Sequence, residues 1–183
     1  MQNKMKNRFL LILFLLTLFA LPMSAERKAE MFARVLPDRE QVYAGDSVLL
    51  SVVLYASDPI AKAESTTTFG VKGKASVRKL NINRNATAGR TRENGRIYYT
   101  LVWNQYVVAP TQPGTYTVGV QKFKATLQQV IAMPDFFDQM MGAQPQYREV
   151  KVQGSSPTFT FEVKQKPLRS TQEMMRSSKQ GVL

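Results

Sequence analysis

The feature of this sequence that most limits its possible folds is a succession of short β-prone segments separated by turn residues. Residues 47–55 (SVLLSVVLY) and 96–108 (RIYYTLVWNQYVV) are rich in β-branched, aliphatic and aromatic residues, and turn signals precede both. Because no long segment has helical periodicity, the sequence predicts an all-β protein rather than an α/β one. Further candidate strands cover residues 30–36, 66–72, 75–82, 115–127, 146–153 and 158–164.

The most specific turn lies in residues 110–118 (PTQPGTYTV). The spacing of Gly114, Tyr116 and Val118 is that of the tyrosine corner in immunoglobulin-like sandwiches, where the tyrosine hydroxyl bonds to the backbone of the turn. Pro113 fixes φ, and Gly114 permits a dihedral angle that other residues disfavour. The pattern predicts an immunoglobulin-like β-sandwich of about seven to eight strands, with Pro113, Gly114 and Tyr116 in structural roles.

Residues 1–25 have the layout of a secretory signal peptide. Lys4, Lys6 and Arg8 precede an apolar run, residues 9–21, which is too short to cross a bilayer and is followed by PMSA. Cleavage after Ala25 is expected to give an exported, soluble, periplasmic protein, and an uncleaved anchor is the alternative.

Two further segments are expected after the signal peptide. Residues 26–164 are predicted to form the sandwich domain. Residues 165–183 lack aromatic residues and are predicted to be a flexible tail.

The chain contains no cysteine and no histidine. Cys–His and Ser–His catalysis and the usual zinc and copper sites are therefore excluded. Asp135 and Asp138 are the closest candidate carboxylate pair, but they lie in a Phe/Met-rich loop without other catalytic groups, and no phosphate-binding or calcium-binding motif occurs. We predict a non-enzymatic protein without catalytic residues, metal or cofactor.

The basic charge of the chain indicates anionic partners. Three of the 25 Lys and Arg residues lie in the signal segment, which leaves 22 against 13 Asp and Glu, a net charge of +9. An exported basic protein meets lipid headgroups, anionic envelope polymers and acidic proteins, so nucleic acid is not an expected partner.

Basic residues concentrate between Glu64 and Glu93, where no acidic residue occurs. This stretch is interpreted either as a solvated strand and hairpin or as a binding surface for an anionic envelope polymer or lipid headgroups. Its candidate binding residues are Lys72, Lys74, Arg78, Lys79, Arg84, Arg90 and Arg92.

A second unusual segment, residues 131–147 (IAMPDFFDQMMGAQPQY), is predicted to be a loop insertion with one helical turn. Its large apolar residues fall at helical spacings, Pro134 suits a helix start and Gly142 suits a helix end. The segment is expected either to cover an open edge of the sandwich or to bind a partner protein. The candidate partner-binding residues are Phe136, Phe137, Met140 and Met141.

Trp103 lies on a predicted strand, on the same face as Tyr99 and Leu101. Packing in the core is the favoured interpretation of this single tryptophan, and stacking on a carbohydrate is the alternative.

The order of these features resembles the first domain of the BatD, or oxygen-tolerance, family. The likeness rests on residues 35–55 (VLPDREQVYAGDSVLLSVVLY) and 97–125 (IYYTLVWNQYVVAPTQPGTYTVGVQKFKA) and extends over residues 30–164. Members are exported bacterial envelope proteins with immunoglobulin-like domains, encoded with MoxR-type ATPases and with proteins that carry von Willebrand A domains. The resemblance implies a non-enzymatic role in envelope maintenance or oxygen and stress tolerance, through contacts with membrane proteins that carry von Willebrand A domains.

Overall fold

The computed structural model describes residues 28–167, so the predicted signal peptide and most of the predicted tail lie outside the described residues. This part of the chain consists mainly of β-strands, which confirms the all-β prediction. One 3-10 turn (Arg84–Thr87) and one short helix, α1 (Phe136–Met140), interrupt the strands. The strands are β1 (Met31–Pro37), β2 (Val42–Tyr43), β3 (Val48–Ala56), β4 (Ile60–Ser65), β5 (Val71–Lys72), β6 (Ala75–Leu80), β7 (Gly89–Glu93), β8 (Arg96–Pro110), β9 (Gly114–Val118), β10 (Lys122–Ala132), β11 (Gln146–Ser155) and β12 (Phe159–Lys164).

The strands form three sheets. The first has the order β1-β3-β8-β6. β7 lies on the same side of β8 as β6, but it pairs with the beginning of β8, whereas β6 pairs with the end. The second has the order β11-β10-β4, and the third the order β2-β12-β9-β5. All pairings are antiparallel except that of β12 with β2. We call these the five-stranded, three-stranded and four-stranded sheets.

One hydrophobic core joins all three sheets. Alternate residues of β3, including Leu50 and Leu54, are fully buried, and so are Val118 of β9 and Leu127 of β10. Each buried side chain of this size contributes about 1.5–3 kcal/mol relative to an exposed one. The long aliphatic run of β3 explains its central place, because a strand flanked by two others offers its apolar residues the most complete burial.

A smaller cluster lies on the outer face of the five-stranded sheet. The ring of Phe32 stacks on Tyr55 with centroids 4.9 Å apart and meets the edge of Tyr98 at 5.2 Å. The Arg34 guanidinium lies 5.3 Å from the Phe32 and Tyr55 ring centroids and forms a two-pronged ion pair with Glu93. These contacts attach β7 to β1 across the width of the sheet.

The turn that precedes β9 has the contacts of a tyrosine corner. The Tyr116 hydroxyl lies 2.8 Å from the carbonyl oxygen of Gln112 and 3.0 Å from that of Lys74. Gly114 has φ +143°, a region that favours glycine, and Gly73 has φ +131° with its Cα against the Tyr116 ring. The corner therefore links the loop before β9 to the loop before β6.

The sequence predicted one strand over residues 115–127, but the structure has two strands there in two different sheets. The chain leaves the four-stranded sheet after Val118 and enters the three-stranded sheet at Lys122. Between them, Gln121 and Ser156 exchange two hydrogen bonds, of 2.8 and 3.0 Å. The period-two alternation changes phase at this crossing: the buried positions are even-numbered up to Val118 and odd-numbered from Gln121 onward, and Val120, predicted to share the face of Val118, is 41% exposed.

The described residues contain twelve strands rather than seven to eight. Three of the additional strands, β2, β4 and β7, lie at sheet edges and are short or largely polar. The predicted strand over 66–72 is also reduced to Val71–Lys72. Edge strands bury little apolar surface, so their sequences lack the pattern that identifies central strands.

Candidate functional site

The hairpin formed by β10 and β11 carries the predicted loop insertion, residues 131–147, at its end. Its base is in the core, where Phe123, Ala125 and Leu127 are buried. From Val130 onward the side chains of β10 are exposed, and Ile131 is 54% exposed. The distal end of the hairpin and its connecting loop therefore lie outside the core.

The loop at the end of the hairpin is shaped by its own polar contacts. The Asp135 carboxylate caps α1 by accepting a hydrogen bond of 2.7 Å from the Asp138 backbone N–H. The Gln139 side chain donates to the carbonyl oxygen of Pro134, and Gly142 ends the turn with φ +90°. This carboxylate has a structural role as a helix cap.

The large apolar side chains of the loop point into solvent. The exposed fractions are 78% for Phe136, 72% for Phe137, 72% for Met140 and 78% for Met141, and α1 has no buried residue. The interpretation in which this segment covers an edge of the sandwich is therefore wrong. We call these four residues the apolar tip.

The charge of the tip segment is opposite to that of the chain. Residues 131–147 contain two acidic residues, Asp135 and Asp138, and no Lys or Arg, whereas the whole sequence has a formal net charge of +12. The apolar tip is therefore flanked by carboxylates.

The seven residues of the basic stretch do not lie on one element. Lys72 is on β5, Arg78 and Lys79 are neighbours on β6, and Arg90 and Arg92 are on β7. Side chains alternate along a strand, so Arg78 and Lys79 face opposite sides of the five-stranded sheet. Lys74 lies in the turn before β6, and Arg84 begins the 3-10 turn.

Arg84 occupies a gap beside β8. The pairing of β6 with β8 ends at Leu80 opposite Gln105, and that of β7 begins at Gly89 opposite Thr100, so residues 101–104 have no strand on this side. Side chains of the 3-10 turn fill this gap. Arg84 Nε donates a hydrogen bond of 2.7 Å to the carbonyl oxygen of Trp103, and the Thr87 hydroxyl accepts one of 3.1 Å from the backbone N–H of Val102.

The same part of β8 contains a bulge at Trp103. Val52 pairs with Asn104 and Val53 with Val102, which leaves Trp103 as the extra residue. Trp103 packs partly against the core and meets the edge of Phe123 at 5.9 Å, as the core interpretation predicted. Its ring also lies 3.9 Å below the Arg84 guanidinium, a contact that the sequence did not indicate.

Two more aromatic residues lie near this bulge. Phe69 stacks on Tyr106 with ring centroids 3.7 Å apart. The Asn104 carboxamide accepts a hydrogen bond from Arg84 and donates one of 3.3 Å to the Tyr106 hydroxyl. Burial raises the pKa of Tyr106, while the hydrogen bond from Asn104 and the charge of Arg84 act in the opposite direction.

Sequence reasoning missed a basic face on the three-stranded sheet. Lys62, Lys124 and Lys151 line a shallow depression together with Glu64. Lys124 is opposite Glu64 in the pairing of β10 with β4, and Lys62 and Lys151 are both opposite Thr126. The alternation of Lys122, Phe123, Lys124 and Ala125 is the signal that indicates this face.

The described residues lack both a cluster of metal-ligating side chains and a membrane-spanning helix. Residues 28–167 contain no group of three or more His, Cys, Asp or Glu side chains that could hold a metal ion. In the same part of the chain, no helix is long and apolar enough to cross a membrane.

Comparison with known proteins gave no relative. No family model matches the sequence, and no curated protein and no solved structure is significantly similar to it.

Proposed function

We propose that this protein is a non-enzymatic binding protein of the bacterial envelope that contacts another protein through its apolar tip. The observation that carries the proposal is the exposure of Phe136, Phe137, Met140 and Met141, each more than 70% exposed at the end of a hairpin. Large exposed apolar clusters are a liability for a soluble protein unless a partner covers them. Methionine and phenylalanine together suit this use, because methionine adapts its shape to an apolar pocket and phenylalanine buries a large apolar ring.

The charges around the tip favour a protein partner over a lipid bilayer. Asp135 and Asp138 would enter the headgroup region with the apolar residues, where anionic lipids repel carboxylates and burial of a charge is costly. A protein groove with an apolar floor and a basic rim accommodates both the rings and the carboxylates. We therefore assign such a groove as the binding partner of the tip.

We also propose that the strands form an immunoglobulin-like sandwich. The strand order, the shared core of the three sheets and the contact of Tyr116 with Gln112 support an immunoglobulin-like sandwich. The resemblance to the BatD family supports an exported, periplasmic location and membrane proteins with von Willebrand A domains as the partners. On this view the protein acts in envelope maintenance or in tolerance of oxygen and stress.

Site-specific crosslinking in cells tests this proposal. A photoreactive phenylalanine analogue replaces Phe137 in one variant and Ile97, which is 53% exposed on β8, in a control variant. We expect the Phe137 position alone to give a discrete adduct with a protein that carries a von Willebrand A domain, and the adduct to persist in about 0.5 M salt, since apolar contacts are little screened.

Two results would overturn the proposal. One is an adduct with phospholipid as the main product of the Phe137 position. The other is the same set of adducts from both positions, which would indicate contact without specificity. In the presence of the purified partner, the double change Phe136→Ser and Phe137→Ser is expected to weaken binding by at least about 100-fold, the loss expected for two apolar anchors.

A further inference from the structure

The 3-10 turn that fills the gap beside β8 also lines a cleft that the proposed function does not use. One wall comes from β4 and the loop after it, including Glu64, Thr67 and Phe69, and the other from Lys79, Arg84 and Asn104. Trp103 and Tyr106 contribute aromatic rings between the walls, and the cleft has a volume of about 520 Å³. We call it the Arg84 cleft.

The cleft continues into a polar depression of about 430 Å³. The two adjoin, because Lys79, Arg84 and Asn104 line both, and we call the pair the groove. Both volumes are in the range of ligand-binding clefts. A groove that is open along its length suits a segment of a chain-like ligand.

Arg84 is a pre-positioned cation in this groove. Its Nε and Nη2 atoms donate to Trp103 O and Asn104 Oδ1, and its guanidinium plane lies on the Trp103 ring. All of these partners are neutral, and no carboxylate among residues 28–167 pairs with Arg84 or with Lys79. Glu64 also lines the cleft but pairs with neither cation, so two cations and one carboxylate leave the lining with a net charge of +1. This charge and the fixed orientation of Arg84 favour an anionic group in the ligand.

Asparagine side chains surround the two cations. Asn81, Asn83 and Asn85 line the polar depression together with Asn104. The carboxamides of the first three make no side-chain hydrogen bond within residues 28–167. A carboxamide both donates and accepts, so this arrangement matches hydroxyl groups, which do the same. A phosphate polymer offers mainly acceptor oxygens, so it would bind only the amide N–H groups and leave the exposed amide oxygens to water.

Three partly buried aromatic residues line the cleft beside these polar groups. Phe69 and Tyr106 form a stacked pair at one wall, and Trp103 is held beside Arg84. Aromatic side chains give apolar surface to a ligand whose other edges are polar. We propose that the Arg84 cleft binds an oligosaccharide whose sugar units carry carboxylate groups. Arg84 and Lys79 bind the carboxylates, and the asparagines bind the hydroxyl groups.

Trp103 provides a direct measurement, because it is the only tryptophan of the chain. Its fluorescence is followed while purified protein is titrated with hexagalacturonate, with the fully methyl-esterified hexamer, and with polyphosphate. We expect a saturable change with the acid. The ester should bind at least about tenfold more weakly, since it lacks the charge-assisted hydrogen bonds. Polyphosphate should also bind more weakly than the acid.

Neighbouring residues on β6 supply a matched pair of variants. Lys79→Gln and Arg78→Gln remove the same charge from opposite faces of the strand, and neither side chain makes a hydrogen bond or an ion pair within residues 28–167. Lys79→Gln is expected to weaken hexagalacturonate binding about tenfold and Arg78→Gln less than about twofold. Asn83→Ala, which removes no charge, is expected to weaken binding of the acid and to leave polyphosphate binding unchanged.

Three outcomes would overturn the inference. The first is no change in fluorescence with hexagalacturonate up to millimolar concentration. The second is equal weakening by Lys79→Gln and Arg78→Gln, which would indicate general attraction of a polyanion. The third is tighter binding of polyphosphate than of the acid. None of these results involves the apolar tip, so the inference and the proposed function fail separately.

Discussion

The hydroxyl oxygen of Tyr116 lies 2.8 Å from the carbonyl oxygen of Gln112, four residues earlier in the chain. The ring is only 3% exposed, so water does not replace the contact easily. Tyr116→Phe removes the donor, and we expect the free energy of unfolding to fall by about 1–2 kcal/mol in urea denaturation. Lys74 O is less affected, because Thr111 also donates to it.

Tyr147→Phe is the control for this prediction. Tyr147 is 55% exposed, and its hydroxyl makes no hydrogen bond with residues 28–167. Its loss should change the free energy of unfolding by less than about 0.5 kcal/mol. Equal effects of the two variants would show that the corner hydrogen bond does not stabilise the fold.

Gly73 is the second point at which the corner can be tested. A Cβ atom at this position would overlap the Tyr116 ring, and φ is +131°, which side chains disfavour. We expect Gly73→Ala to lower the free energy of unfolding by at least about 2 kcal/mol, from overpacking and backbone strain together. Gly70→Ala, where an added Cβ meets no atom within 4 Å and φ is ordinary, should be nearly neutral. A neutral Gly73→Ala variant would contradict this packing.

The ion pair of Arg34 with Glu93 lends itself to a double-mutant cycle. Its two hydrogen bonds are 2.7 and 2.6 Å long, and the Glu93 side chain is 19% exposed. With Arg34→Gln and Glu93→Gln, we expect a coupling free energy of about 1 kcal/mol, because the geometry is two-pronged and lies over aromatic rings. The coupling should decrease in about 1 M salt. A coupling below about 0.2 kcal/mol would show that the pair is not formed in solution.

Asp38 gives a prediction about pH. Its hydrogen bonds from Arg39 and from the Leu49 backbone N–H lower its pKa below the ordinary value of 3.8. A lowered pKa in the folded state adds stability at pH values above the unfolded pKa, and this stability is lost as the pH falls through the folded pKa. Asp38→Asn should therefore be less stable than the natural chain at pH 6, by under about 1 kcal/mol for so exposed a pair.

The difference between the two proteins should shrink as the pH falls below 3.8, because Asp38 is protonated first in the unfolded chain and then, at lower pH, in the folded one. Urea denaturation at pH 6, 4 and 3 measures it. A difference that is constant over this range would mean that the charge of Asp38 does not contribute.

The central strands could be predicted from the sequence because their apolar residues determine their place. β3 and β8 have long runs of aliphatic and aromatic residues, and both lie inside the five-stranded sheet. By contrast, β7 (GRTRE) has no apolar residue and is held by its pairing with β8 and by Glu93. Such a strand forms only because a neighbouring strand pairs with it, and no local sequence pattern indicates that pairing.

The two candidate sites also differ in how far the sequence predicts them. The apolar tip was identified from the spacing of its residues, although its exposure depends on how far the hairpin extends from the core. The Arg84 cleft could not be identified, because it combines a bulge at Trp103 with a gap between β6 and β7. Both features arise from the pairing register of distant segments, and a sequence pattern does not specify register at a bulge.

The exposure of the apolar tip predicts that it contributes little to folding. Phe136→Ser together with Phe137→Ser should change the free energy of unfolding by less than about 0.5 kcal/mol, since both rings are already in solvent. The same variant should bind less of a dye that reports on exposed apolar surface. Leu127→Ser, on the same hairpin but fully buried, should cost about 3 kcal/mol or more. If the double variant is instead as unstable as Leu127→Ser, the tip packs against the protein in solution and is not a free binding surface.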